Sequence, residues 1–150
     1  MLYPTHPVAG YLLAMVLRLP VVPVVVGAAL PDLVDKPLGL LGVADQYHTV
    51  AHSMFGLAVP LALAARSRAW LAVAVGWASH LALDAAQMII NGRPGDARFL
   101  LWPVVEHESQ VQLPPVEFAA FYIGTRASAV ELFIWVGALA ALARRHLLND

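Results

Sequence analysis

The sequence predicts an all-α, polytopic membrane bundle of about four spanning units, and three observations predict it. Of the 150 residues, 60% are hydrophobic and only 13% are charged, where a water-facing domain of this size carries about a quarter charged residues. The apolar residues fall into runs of helical length. Proline, glycine and arginine stand at the breaks between those runs, which is where helices stop. The length suits a single domain over residues 1–150. A formal net charge of −1 leaves no basic face for nucleic acid. The absence of cysteine excludes disulfides, thiolate zinc sites and cysteine nucleophiles.

The elements follow in order. The start of the chain lacks the basic residues of a cleavable signal and carries Pro4 and Pro7. Apolar residues run from Val8 to Leu17 and from Leu19 to Leu30, interrupted by Arg18, Pro20 and Pro23. Each half is too short for a hydrocarbon core of about 30 Å, so residues 8–30 are either a hairpin of short helices or one kinked span. Residues 31–48, rich in Pro, Gly and Asp, read as a loop. An apolar helix is expected from Thr49 to Ala65 with Pro60 as a kink, then a basic turn at Arg66-Ser67-Arg68, then a long helix from Ala69 to about Ile90. Residues 91–126 form a polar interlude with turns at Asn91-Gly92 and Pro94-Gly95 and a short amphipathic stretch from Glu117 to Ile123. The last helix spans Ala127 to Ala143 and ends in Arg144-Arg145. There are no internal repeats.

Up-and-down tracing sorts the ionisable residues by end. Arg18, Arg66, Arg68, Arg144 and Arg145 lie at one end; His6, Asp32, Asp35, His48, His52, His80, Asp84 and Glu131 lie toward the other. The positive-inside rule makes the arginine end cytoplasmic and the acid and histidine end exterior, although Lys36, Arg93, Arg98 and Arg126 share the second end.

His48-x3-His52 and His80-x3-Asp84 are both i,i+4 pairs, so each would project from one helix face. Two such pairs on neighbouring helices can enclose a divalent cation. A cysteine-free set of imidazoles and carboxylates suits Zn²⁺, with Mn²⁺ or Fe²⁺ also open. A charged Asp84 inside an apolar helix costs several kcal/mol unless paired or coordinated. Plainer readings stand beside each residue: a helix cap for the histidine pair, a buried His80–Asp84 hydrogen bond, a terminal His6, a turn at Asp32, and a surface pair of Asp35 with Lys36.

Five segments, in order, carry a resemblance: His6-x3-Gly10, Gly-Ala-Ala-Leu-Pro-Asp at 27–32, Ala-His-Ser at 51–53, Ser-His-Leu-Ala-Leu-Asp at 79–84 and Leu-Leu-Trp-Pro at 100–103. Together they resemble the YdjM-like family, described as LexA-binding, inner-membrane-associated, metal-dependent hydrolases and distantly similar to zinc-dependent phospholipase C. The resemblance covers residues 6 to about 103. It implies that His6, Asp32, His52, His80 and Asp84 are metal ligands. The family often reads His-Arg-x-x-Thr-His-Ser where this chain has Tyr47-His48-Thr49-Val50-Ala51-His52-Ser53, and Pro-Asp-x-Asp where the second acid here is Asp35.

The expected function is metal-assisted hydrolysis of a phosphoester, in a lipid or lipid-linked substrate, at the membrane surface. The number of candidate ligands suggests two metals. Asp35 or Glu131 would act as general base or second-metal ligand. Arg93, Arg98 or Arg126 would bind the anionic head group, and Trp102 would anchor its loop at head-group depth. The alternatives are a membrane metal or ion carrier and a non-catalytic metal-binding membrane protein. The His-Glu-x-x-His signature of an intramembrane metalloprotease is absent.

Overall fold

The first apolar stretch divides at Arg18 in the computed structural model, which describes residues 1–105 and 108–147. Helix α1 (Thr5–Leu17) ends where Arg18 turns left-handed, at φ 54°. The turn is held from outside, because Arg68 Nη2 donates to the Arg18 carbonyl at 2.7 Å. Pro20 then starts helix α2 (Val21–Leu40). Residues 8–30 are therefore two separate helices, packed through Ala14 and Val24.

Helix α2 corrects one expectation. Residues 31–48 were expected as a loop, but α2 continues through Pro31 and Pro37 to Leu40. Each proline removes an N–H donor and crowds the preceding turn, which is why the local sequence reads as a break. Packing against helix α4 (Arg68–Ile90) overrides that penalty. The two backbones touch: a Cβ on Gly27 would overlap the Val73 carbonyl oxygen, and one on Gly76 would overlap that of Val24. Small residues permit this approach, as in membrane helix pairs.

A second correction concerns residues 49–53. The helix expected from Thr49 begins only at Met54, as α3 (Met54–Ala64). Asp35 explains the delay, because its carboxylate accepts from the backbone N–H groups of Thr49, Ala51 and His52. A side chain that takes these donors offers the backbone an alternative to a helical ladder. Ser53 then caps α3 by accepting from Gly56 N at 3.1 Å. His48 and His52 thus lie on an irregular segment, residues 41–53, and not on one helix face.

Ser67 caps α4 in the same way, accepting from Trp70 N, and Gly92 with φ 79° follows its end. A 3₁₀ segment (Pro94–Leu101), a short α5 (Pro115–Tyr122) and α6 (Arg126–Leu147) complete the order. Asn91 Oδ1 accepts from Ala127 N at 3.0 Å, tying the end of α4 to the start of α6.

All regular structure among the described residues is helical. Two helices are long and apolar enough to cross a membrane, Arg68–Ile90 and Arg126–Arg145. At a rise of about 1.5 Å per residue, the 13 residues of α1 and the 11 of α3 fall short of a core of about 30 Å. Helix α2 is long enough but carries Asp32, Asp35 and Lys36. The outward faces are strongly apolar, with Phe133 76%, Leu139 64% and Val59 62% exposed.

Candidate metal centre

The first turn of α1, the second half of α2, the 41–53 segment and the middle of α4 converge at one end of the bundle. They bring His6, Asp32, His48, His52, His80 and Asp84 together. All but His48 are buried, and His6, His52 and His80 are at most 1% exposed. His80 and Asp84 share a face of α4, with His80 Nε2 at 3.3 Å from Asp84 Oδ2. His52 Nε2 lies 3.4 Å from Asp32 Oδ1, His6 Nε2 3.3 Å from Asp84 Oδ1, and His48 Nε2 3.6 Å from Asp84 Oδ2. The His6 and His80 rings stack with centroids 3.7 Å apart, and Phe99 packs against the rings of His48 and His52.

Two of the imidazoles are fixed from behind. His52 Nδ1 lies 2.8 Å from Asp35 Oδ2, and His80 Nδ1 lies 2.7 Å from the carbonyl oxygen of Ala28. A carboxylate and a carbonyl only accept, so both Nδ1 atoms carry a proton and each ring, when neutral, turns a lone pair inward on Nε2. Those two Nε2 atoms face each other at 3.0 Å. With both rings neutral the two lone pairs would oppose each other, an arrangement that a bound cation, or a proton on one Nε2, relieves. Around a tetrahedral ion with ligands at about 2.0–2.1 Å, neighbouring ligand atoms stand roughly 3.3 Å apart. The spacings from 3.0 to 3.6 Å given above bracket that value.

The electrostatics also favour positive charge here. The terminal ammonium of Met1 is buried and donates to Asp84 Oδ1, and Lys36 Nζ lies 3.4 Å from Asp32. Burial opposes a charge on His52, but hydrogen bonds with the carboxylates of Asp32 and Asp35 outweigh it and raise its pKa above 6.5. Burial, with the Lys36 charge, lowers His48 to about 3, so His48 stays neutral with a lone pair to offer. Three groups of described residues can hold a metal ion: His6, His80 and Asp84; Asp32, His52 and His80; and His48, His52 and Asp84.

Asp35 and Glu131 sit differently. Asp35 is completely buried behind His52, its oxygens occupied by three backbone N–H groups and the His52 ring. Glu131, on α6, accepts from Leu2 N and from the Thr5 hydroxyl, and Thr5 Oγ1 in turn accepts from Trp135 Nε1. Glu131 thus secures the start of α1 beside His6. Neither acid belongs to the three ion-holding groups. Of the arginines expected near a head group, Arg98 and Arg126 are exposed, and Arg93 lines a cavity beside the cluster. Trp102 is partly buried at the end of the 3₁₀ segment. Sequence reasoning missed the fastening of the 41–53 segment by Trp77 Nε1, which donates to Ala51 O at 2.7 Å. It also missed the pairing of Arg93 with buried Asp96, for which the i,i+3 spacing was the only signal.

The fold and the site define a class: an all-helical chain with membrane-length helices and a buried His/Asp cluster able to hold a metal ion. Comparison with protein-family models, with curated proteins and with solved structures returns no match.

Proposed function

We propose that the chain is a membrane-embedded, metal-dependent hydrolase that cleaves a phosphoester of a lipid or lipid-linked substrate at one membrane face. The observation that carries this reading is the His52–His80 pair, whose Nε2 atoms face each other at 3.0 Å between two carboxylates. A divalent ion held there, Zn²⁺ first with Mn²⁺ or Fe²⁺ also suited to the donors, supplies a Lewis acid and lowers the pKa of its water toward roughly 7. Asp84 turns Oδ1 toward His6 and the Met1 ammonium and Oδ2 toward His48, His52 and His80, so Oδ2 would serve an ion among those three histidines and a second ion at Oδ1 would have to displace the ammonium. His80 belongs to two of the ion-holding groups but has one inward nitrogen, so the three groups are alternatives within a site for two ions at most. Asp35 orients His52 and Glu131 secures the segment carrying His6; in this reading both are positioning residues. Burial of His6, His52 and His80 keeps bulk water out, and the cavity leads in past His48 and Asp32.

The same reading puts α4 and α6 across the bilayer with α1–α3 packed on them. Their exposed apolar side chains support lipid contact. Arg18 and Arg68, joined by a hydrogen bond, would lie at the cytoplasmic end and the cluster at the exterior end.

The test is to purify the chain in a neutral detergent, measure bound metal and assay head-group release from phospholipids. At least one equivalent of metal is expected. His80→Ala and Asp84→Ala should weaken binding by more than the roughly ten- to hundredfold that outer-shell changes cost. Metal content indifferent to both substitutions overturns the site. Full occupancy with no release, together with metal uptake into proteoliposomes, replaces the hydrolase with a carrier.

A further inference from the structure

Beside the cluster lies a cavity of about 500 Å³, within the range of about 300–1,000 Å³ that small-molecule sites occupy. Asp32 and His48 of the cluster are part of its lining. Its walls are mostly apolar, with Leu33, Leu40, Tyr47, Val111 and Phe118 among them. The cationic side chains in the wall are Lys36 and Arg93. Lys36 is committed to Asp32 at 3.4 Å. Arg93 is half committed: its Nη1 donates to Asp96 Oδ2 at 2.7 Å, and its Nη2 is buried with no hydrogen-bond partner among the described residues.

The guanidinium is built in rather than loosely placed. Arg93 N donates to Met88 O at 2.8 Å at the end of α4. Asp96 is 1% exposed and also accepts from Ser109 Oγ and Gln110 N. A buried donor without an acceptor is costly, and a guanidinium pinned on one side presents its remaining N–H groups in a fixed plane that suits an oxyanion. The apolar walls call for a hydrocarbon chain on the same molecule.

We infer that this cavity binds a single-chain amphiphile with a phosphate-type head, its oxyanion at the Arg93 guanidinium and its chain against Leu40, Tyr47 and Phe118. This rests on the hydrolase reading for its biological meaning, since it puts a phosphoryl group beside the His/Asp cluster, but not for its physical basis. Arg93 is a binding residue here, fixed by Asp96, and it sets the preference for an anionic head.

The test measures binding without turnover. Decylphosphonate, whose C–P bond resists hydrolysis, is titrated into the full chain in a neutral maltoside detergent by calorimetry, with and without chelator. Decanol and methylphosphonate serve as the chain-only and head-only arms. Saturable one-to-one binding of decylphosphonate is expected, each partial ligand being at least about tenfold weaker. Arg93→Gln should weaken decylphosphonate by about ten- to a hundredfold while leaving decanol binding unchanged, and Arg93→Lys should recover part of the loss. Unchanged decanol binding in Arg93→Gln also certifies that the variant is folded. Equal affinity for decanol and decylphosphonate overturns the proposal in favour of a plain apolar pocket. Equal affinity for methylphosphonate overturns it in favour of a free-phosphate site. Loss of hydrolysis with this binding intact would count against the enzyme and not against the cavity.

Discussion

His52 is the residue on which the cluster's behaviour turns. Its ring is gripped at Nδ1 by Asp35 and faces His80 and Asp32 at Nε2. Because its folded pKa lies above the ordinary 6.5, its contribution to the metal-free protein is complete below the unfolded value. That contribution is lost as pH rises through the raised one. A metal ion competes with that same proton, so metal-loaded protein gains as pH rises. The gap between metal-loaded and metal-free melting temperatures should therefore widen from about pH 6 to about pH 8. Thermal melting with and without chelator checks it, and a gap that narrows would refute the assignment. His48, held neutral down to about 3, adds nothing to this dependence. The sequence made His80 and Asp84 legible, because a helical run fixes where an i,i+4 pair points. His48 and His52 show the same spacing, yet they meet through the Asp35 fastening and not through a helix.

Among the elements, the α2–α4 contact matters most for the site. Asp32 rides on one helix and His80 with Asp84 on the other, and their separation is set where Gly27 meets Val73 and Gly76 meets Val24. Gly76→Ala inserts a methyl against a backbone carbonyl that cannot move aside, in a packed pair where such overpacking costs about 1–3 kcal/mol. It should lower the melting temperature in detergent and also weaken metal binding, although Gly76 has no side chain to offer an ion. Ala82→Gly, on the same helix, is the contrast: it should cost about 1 kcal/mol of stability with metal affinity retained. Equal metal affinity in Gly76→Ala and the unaltered chain would mean the spacing is set elsewhere. The long helix was legible to within a residue, since Ser67 and Asn91-Gly92 are strong start and stop signals. Helix α2 was not, because Pro31 and Pro37 are local breakers whose penalty is overridden only by a partner more than forty residues away in sequence.

For the whole molecule, composition indicated a membrane protein, and the outward apolar side chains agree with it, but the order of residues did not reveal which helices are long enough to cross. That depends on where α1 stops and α3 starts, which is decided by Arg18 in its left-handed turn and by Asp35 delaying α3. The chain has no cysteine, so single cysteines can map it directly. Arg66→Cys and Arg98→Cys, both at exposed positions, should react with a membrane-impermeant maleimide from opposite sides of sealed vesicles. Phe133→Cys, within the apolar run of α6, should react only after detergent is added. Labelling of all three from one side would place the chain on the membrane surface instead of through it.

The Asp35 fastening has one more consequence. The amides of Thr49, Ala51 and His52 end on one carboxylate, and that carboxylate also sets the angle of one imidazole ring. The backbone course of this segment and the direction of a single lone pair are therefore one mechanical degree of freedom. A disturbance at either is felt at the other without any helix needing to move.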